Sequence, residues 1–292
     1  MIDIFGVSLN SAEIFSAENI FMLAIALFWI LIASIQDLKK REVENWWNFL
    51  LVFIILAFRA FLSVEKQEIW FLAWGLIGLG FGILISNIFY YSRVFAGGDM
   101  KLLVALGTVL PLSLSWQTNL VITILFLIFL IIAGAVYGGG FTVYIMLKHF
   151  RDFKKSFYKV FKKYKKAAYL VESISILFMI FFYFIHLYLG LFLSIFLFIS
   201  PLLLIHAKAL EDGCMKKFVK VKDLTIGDLL ANKLKVGKRI IMPYWEGLSE
   251  EELIFIQKHY RKNVLVKEGI PFVPAFFMAF IALFLVVYFG II

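Results

Sequence analysis

Two aspartates, Asp37 and Asp99, each lie where a long apolar run meets a short polar segment, the second within Phe95-Ala96-Gly97-Gly98-Asp99-Met100-Lys101. A carboxylate at the mouth of a membrane span is costly to keep ionised, and two carboxyl groups at one depth are the equipment of acid/base hydrolysis. Taken singly, either acid reads first as a helix cap or a loop residue. The glycines before Asp99 add to the case for chemistry. Residues without side chains let an extended peptide lie close to the acid, or let the chain take φ > 0 beside it. Two acids more than sixty residues apart act together only if the intervening chain returns to the same membrane face, so the elements around them decide the matter.

Those elements are set by composition. Of 292 residues 63% are hydrophobic and 17% charged, and the mean hydropathy is +0.93. A soluble domain is roughly half apolar and a quarter charged, so the pattern specifies an all-α polytopic membrane protein with a small cytoplasmic segment. Apolar runs near the ~20 residues needed to cross a bilayer fall at 20–36, 47–63, 70–91, 101–116, 119–147, 171–188, 190–207 and 271–292. This predicts a bundle of about eight transmembrane helices, or six if 171–207 forms a re-entrant pair. The expected division is 1–207 as a membrane bundle carrying both aspartates, 208–270 as a cytoplasmic segment, and 271–292 as a final helix.

Basic residues orient the chain. Residues 1–19 hold no Lys or Arg, which puts the N-terminus outside. Lys39, Lys40 and Arg41 follow the first run, Arg93 and Lys101 bracket the end of the third, and nine Lys and Arg lie between Lys148 and Lys166. All three groups fall on one side, the cytoplasmic side. Trp46 and Trp47 mark that boundary, and Trp70, Trp74 and Trp116 mark the other, as aromatic belts do. The chain crosses twice between Asp37 and Asp99, so both return to the cytoplasmic edge whatever the exact helix ends. Lys101 reads as a membrane-edge anchor. The 148–166 run reads first as an orientation signal, and second as a surface for anionic headgroups of the lipid bilayer. Net charge of +9 is explained by orientation and needs no nucleic-acid partner.

Other chemistries find little support. Cys214 is the one cysteine, and His149, His186, His206 and His259 are scattered without metal-ligand spacing, so neither a disulfide nor a zinc site is expected and no cofactor is implied. In the 208–270 segment, Ser249-Glu250-Glu251-Glu252 before Leu253, Ile254 and Ile256 has the form of a capping box opening a short amphipathic helix. Val219 to Leu230 and Val236 to Met242 are candidates for strands of a small α/β unit. Glu250 and Glu251 form one acidic surface, and Glu42 and Glu44, just after Asp37, form another.

Asp37-Leu38-Lys39-Lys40-Arg41-Glu42-Val43-Glu44-Asn45, followed after two runs by Gly97-Gly98-Asp99-Met100-Lys101-Leu102-Leu103, resembles the type IV prepilin and preflagellin peptidases, aspartic proteases of the GxGD type. Glu268-Gly269-Ile270-Pro271-Phe272-Val273-Pro274-Ala275-Phe276 is similar to the end of the archaeal branch. The GxGD pattern has glycine where this chain has Ala96, and the four-cysteine domain that accompanies methyltransferase activity in many bacterial relatives has no counterpart here. The resemblance implies a peptidase without methylation, with Asp37 and Asp99 as a catalytic pair sharing one proton, because close like charges do not both ionise. It also implies the substrates: pilin-like or archaellin precursors with a short basic leader and a hydrophobic helix, cut at the cytoplasmic face of the cell membrane. Gly97, Gly98, Glu42 and Glu44 would then contact the substrate, the acids by attracting the leader. Two other classes compete. A presenilin or signal-peptide-peptidase-like protease would place its first acid in a Tyr-Asp setting, which Gln36-Asp37 does not match. A transporter would show internal repeats and mid-span charges.

Overall fold

A computed structural model describes residues 2–4, 7–41, 43–237 and 239–289. In chain order, the strands β1 (Ile2–Ile4) and β2 (Val7–Leu9) precede a one-turn helix α1 (Ser11–Ile14). Then come α2 (Ala17–Lys40), α3 (Asn45–Glu65), α4 (Trp70–Tyr91), α5 (Gly97–Gly107), α6 (Trp116–Lys148), α7 (Phe150–Phe184) and α8 (Tyr188–Cys214). The strands β3 (Lys216–Val219), β4 (Leu229–Leu230), β5 (Leu234–Val236) and β6 (Arg239–Ile241) follow, then α9 (Glu250–His259), β7 (Val264–Lys267) and α10 (Val273–Phe289). By packing, the chain divides into two compact units, one of residues 1–140 with 270–292 and the other of residues 141–269, the division falling within α6.

The first unit is a helical bundle closed by an N-terminal β1–β2 hairpin. Ser16 caps α2, its hydroxyl accepting from the Asn19 N–H, and Arg41 ends the helix in the left-handed conformation at φ 61°. Ala26, Ile30, Ala33 and Asp37 are buried at steps of four, three and four residues, which is one helical face. Asp37 therefore continues the packed stripe of α2. On α10 the matching stripe is Phe276, Phe280, Leu283 and Val287, and α10 packs on α2. In a bilayer, apolar side chains gain little by leaving lipid for protein, so close backbone approach has to hold helices together. Gly78 and Gly82 supply it on the buried face of α4. A Cβ on Gly78 would stand 2.1 Å from the Gly107 carbonyl oxygen, and one on Gly82 would stand 3.2 Å from the backbone of Val104. Thus α5 lies against α4 almost backbone to backbone.

The second unit contains the antiparallel helical pair α7 and α8 and the strand-rich segment that follows. Phe153, Val160 and Ala168 of α7 pack with Ile205, Ala209 and Leu210 of α8. Strands β3, β7 and β4 form an antiparallel sheet in that order, and β5 pairs with β6. Helix α9 opens with the expected capping box: the Ser249 N–H donates to Glu252 Oε2 at 3.2 Å, and the Glu252 N–H donates to Ser249 Oγ at 3.3 Å.

Six helices among the described residues are long and apolar enough to cross a membrane: α2, α3, α4, α6, α7 and α8. The protein is a multi-pass membrane protein. Two expected spans are shorter than the runs that suggested them. The 101–116 run yields only α5, 11 residues long, because the chain turns after Gly107 and Pro111 has no N–H with which to extend a helix. The last run yields the 17-residue α10. The basic run 148–166, which falls between two expected spans, is largely helical: Lys148 ends α6 and residues 150–166 open α7. Its lysines stand outside the buried stripe of Phe153 and Val160, a spacing that supports a helix whether or not the surroundings are apolar. Packing also groups α7 and α8 with residues 208–269, not with the helices that carry the aspartates, since each of the pair packs chiefly on the other.

Candidate active site

Asp37 lies in the last turn of α2 and is 6% exposed. Its Oδ2 accepts a hydrogen bond of 3.0 Å from the N–H of Val273, the first residue of α10. The first N–H groups of a helix have no partner within it and point outward along its axis. Asp37 takes that role for α10, so the C-terminal end of α2 and the N-terminal end of α10 are joined at one carboxyl group.

Asp99 is the third residue of α5 and is 7% exposed. Its Oδ2 accepts from the Ala96 N–H at 3.1 Å, the reach-back half of a capping box. Ala96 has no hydroxyl to return the bond, so the acid alone closes the turn. The carboxyl groups of Asp37 and Asp99 are close enough for the charge on the first to act on the second. Aromatic packing brings the two anchoring segments together. Phe95, buried just before Ala96, lies 5.5 Å from Phe272 and 5.6 Å from Phe276, ring centre to ring centre. Phe272 in turn sits over Gly134 of α6, where a Cβ would stand 2.6 Å from its ring.

Two further residues belong to the site, and the sequence reading gave neither a role in it. The charge of Arg41, which ends α2, acts on Asp37. Tyr137, one helical turn beyond Gly134, feels the charges of both Asp37 and Arg41. The sequence offered one faint signal for Tyr137: a phenol in the apolar, glycine-rich stretch Gly134-Ala135-Val136-Tyr137-Gly138. In the sequence Arg41 reads as one of the basic cluster that orients the first span.

The glycines differ in one respect from expectation. Gly97 and Gly98 are the first two residues of α5, and neither is among the residues with positive φ. A Cβ on Gly97 would meet nothing within 4 Å, and one on Gly98 would meet only the Val43 nitrogen at 3.9 Å. Their contribution is open space beside Asp99, not a left-handed turn. Of the two acids proposed to attract a leader, Glu44 is already engaged, 3.2 Å from Lys40 Nζ and 2.6 Å from the indole N–H of Trp46. Glu42 lies outside the described residues. Lys101 reaches the side chain of Asn45 at the start of α3, and so ties α5 to α3 at this end of the bundle.

Residues 24–139 match the type IV leader peptidase family, a stretch that contains Asp37, Asp99 and Tyr137. The preflagellin peptidase of Methanococcus maripaludis (strain C6 / ATCC BAA-1332) is 32% identical over 83 residues, which cover 28% of this chain and 35% of that protein. The chain therefore matches about a third of the length of that relative. No solved structure matches significantly. The two matches support placement in the type IV leader peptidase family.

Proposed function

We propose that the protein is a membrane-embedded aspartic endopeptidase that removes the leader from pilin-like or archaellin precursors, with Asp37 and Asp99 as its catalytic pair. The observation that carries this reading is the meeting of two buried carboxyl groups from separate helix ends. One oxygen of each is held by a backbone N–H, and both lie within the stretch that matches the leader peptidases.

In the mechanism, one carboxylate takes a proton from the attacking water, while the other, protonated, polarises the scissile carbonyl and then gives its proton to the departing amine. The anchored Oδ2 atoms fix the direction in which the remaining oxygens face. The open space at Gly97 and Gly98 leaves room for the precursor's backbone beside Asp99. Arg41 and Tyr137 adjoin Asp37, where they bear on its charge and orientation. The basic clusters orient the chain with its N-terminus outside and the acid pair at the cytoplasmic face, where a basic leader would stay.

Co-expression with candidate pilin-like and archaellin precursors tests this reading. A faster-migrating, leader-free product should form with the parent chain and be absent with Asp99→Asn at equal membrane abundance. Equal processing by both would refute it.

A further inference from the structure

Arg59 lies in α3 and is 2% exposed. Buried arginines are ordinarily matched by carboxylates or phosphates. This one is matched by peptide carbonyls: Nε donates to Thr108 O at 2.9 Å, Nη1 to Phe71 O at 3.2 Å, and Nη2 to Val109 O at 3.3 Å and to Pro111 O. Three of the four acceptors belong to the turn that follows α5. That turn contains carbonyls with no helical partner, since a helix end leaves its last carbonyls unpaired and Pro111 has no N–H. A cation there also faces the negative end of the α5 dipole.

The same turn is held from two more helices. Asn119 of α6 accepts from the Leu112 and Ser113 N–H groups, both at 3.0 Å, and donates to Ser113 O at 2.8 Å. Asn19 of α2 donates to Leu112 O at 2.7 Å. Residues 108–113 are thus gripped by buried polar side chains of α2, α3 and α6. Between this grip and Asp99 lie eight residues of α5, about 12 Å of helix at ~1.5 Å per residue, pressed against α4 at Gly78 and Gly107. A slip of one residue along this path moves Asp99 by ~1.5 Å and turns it by about 100°, away from Asp37.

We infer that Arg59 is a positioning residue for the proposed cleavage: by gripping the far end of α5 it sets the depth and rotation at which Asp99 faces Asp37. The inference rests on reading the two acids as the catalytic pair, and its test separates the two claims. In the full chain carrying Cys214→Ser, the pair Asp37→Cys and Asp99→Cys is joined by a short thiol-reactive cross-linker, and the rate is followed on gels. A second pair, Glu18→Cys and Lys66→Cys, replaces an ion pair between α2 and the residue following α3 and reports the bundle without α5.

Arg59→Gln should slow the first cross-link at least five-fold and leave the second unchanged. Arg59→Lys keeps the charge but not the fork, and should fall between. If Arg59→Gln does not accumulate, Arg59→Lys carries the test. An unchanged first cross-link overturns the inference, and so does equal loss of both cross-links in Arg59→Lys, which would mark a residue that merely holds the bundle together. With both aspartates present, Arg59→Lys should lower kcat and leave KM within two-fold; a rise in KM alone also overturns it. Cross-linking needs no activity, so the expected pattern in a chain that cleaves no precursor would remove the peptidase reading and leave the placement standing.

Discussion

At the scale of single residues, what sets Asp37 and Asp99 apart from ordinary cap residues is that both are buried and that the charge of the first acts on the second. Replacing either by asparagine preserves shape and removes the proton-carrying function. Asp37→Asn and Asp99→Asn should each lower leader removal at least about 100-fold, the low end of what a general acid or base contributes, with membrane abundance unchanged. Groups that act as a unit do not add, so the double variant should be no worse than the singles, as read from precursor and product bands over time. Tyr137 lies within the field of Asp37 and Arg41 but donates no carboxyl group. Tyr137→Phe should therefore slow turnover by much less than the ~100-fold expected of the aspartates, without stopping it. Complete loss of processing at normal abundance would give the phenol a larger part in the chemistry.

Among the elements, α5 matters most. It is short, nearly backbone-to-backbone with α4, and opens with two glycines that need no special φ. Since a Cβ on Gly98 meets only an atom at 3.9 Å, Gly98→Ala should fold normally and gain about 0.5–1 kcal/mol of helix stability. Gly98→Leu should fold as well, yet fill the space beside Asp99 and stop cleavage. Full activity in Gly98→Leu, at parental membrane abundance, would show that the open space has no part in substrate binding. The contrasting position is Gly78, where a Cβ would stand 2.1 Å from a rigid backbone oxygen. Gly78→Ala should force α4 and α5 apart and reduce both abundance and processing. An immunoblot alongside the processing gel distinguishes the two outcomes.

For the molecule as a whole, the membrane supplies the frame. Helix α7 has 35 residues, about 52 Å at ~1.5 Å per residue, against a hydrocarbon core of ~30 Å. Its lysine-bearing half is therefore the part that leaves the bilayer, in keeping with the side assigned by basic residues. In a Cys214→Ser chain, cysteines placed at the exposed positions Lys40, Ser92, Tyr158 and Glu250 should react with an impermeant maleimide only from the cytoplasmic side. Cysteines at Asn10 and Gln67 should react only from outside. Opposite sidedness of positions 40 and 92 would separate the two acids by the thickness of the membrane and exclude a shared site.

Much of this protein was legible in one dimension. Apolar runs and clusters of Lys and Arg identified a multi-pass helical membrane protein because a bilayer imposes its length and charge rules on each segment separately. Parity of crossings predicts one membrane face for Asp37 and Asp99 on the same grounds, and the Ser249 capping box was readable because its two hydrogen bonds are local. Tertiary structure decided what depends on contacts between distant segments. The run 101–116 satisfied a span by composition, yet became the short α5 and a turn gripped by Arg59, Asn119 and Asn19. The Val273 N–H that holds Asp37 lies 236 residues away from it, a distance over which no periodicity carries information. Tyr137 and Arg41 joined the site because α6 and the end of α2 pack there, and Glu44 turned to Lys40 and Trp46 because they stand within its reach. Backbone polar groups must find partners where water is scarce, and which side chains meet that need is settled only when the helices are assembled.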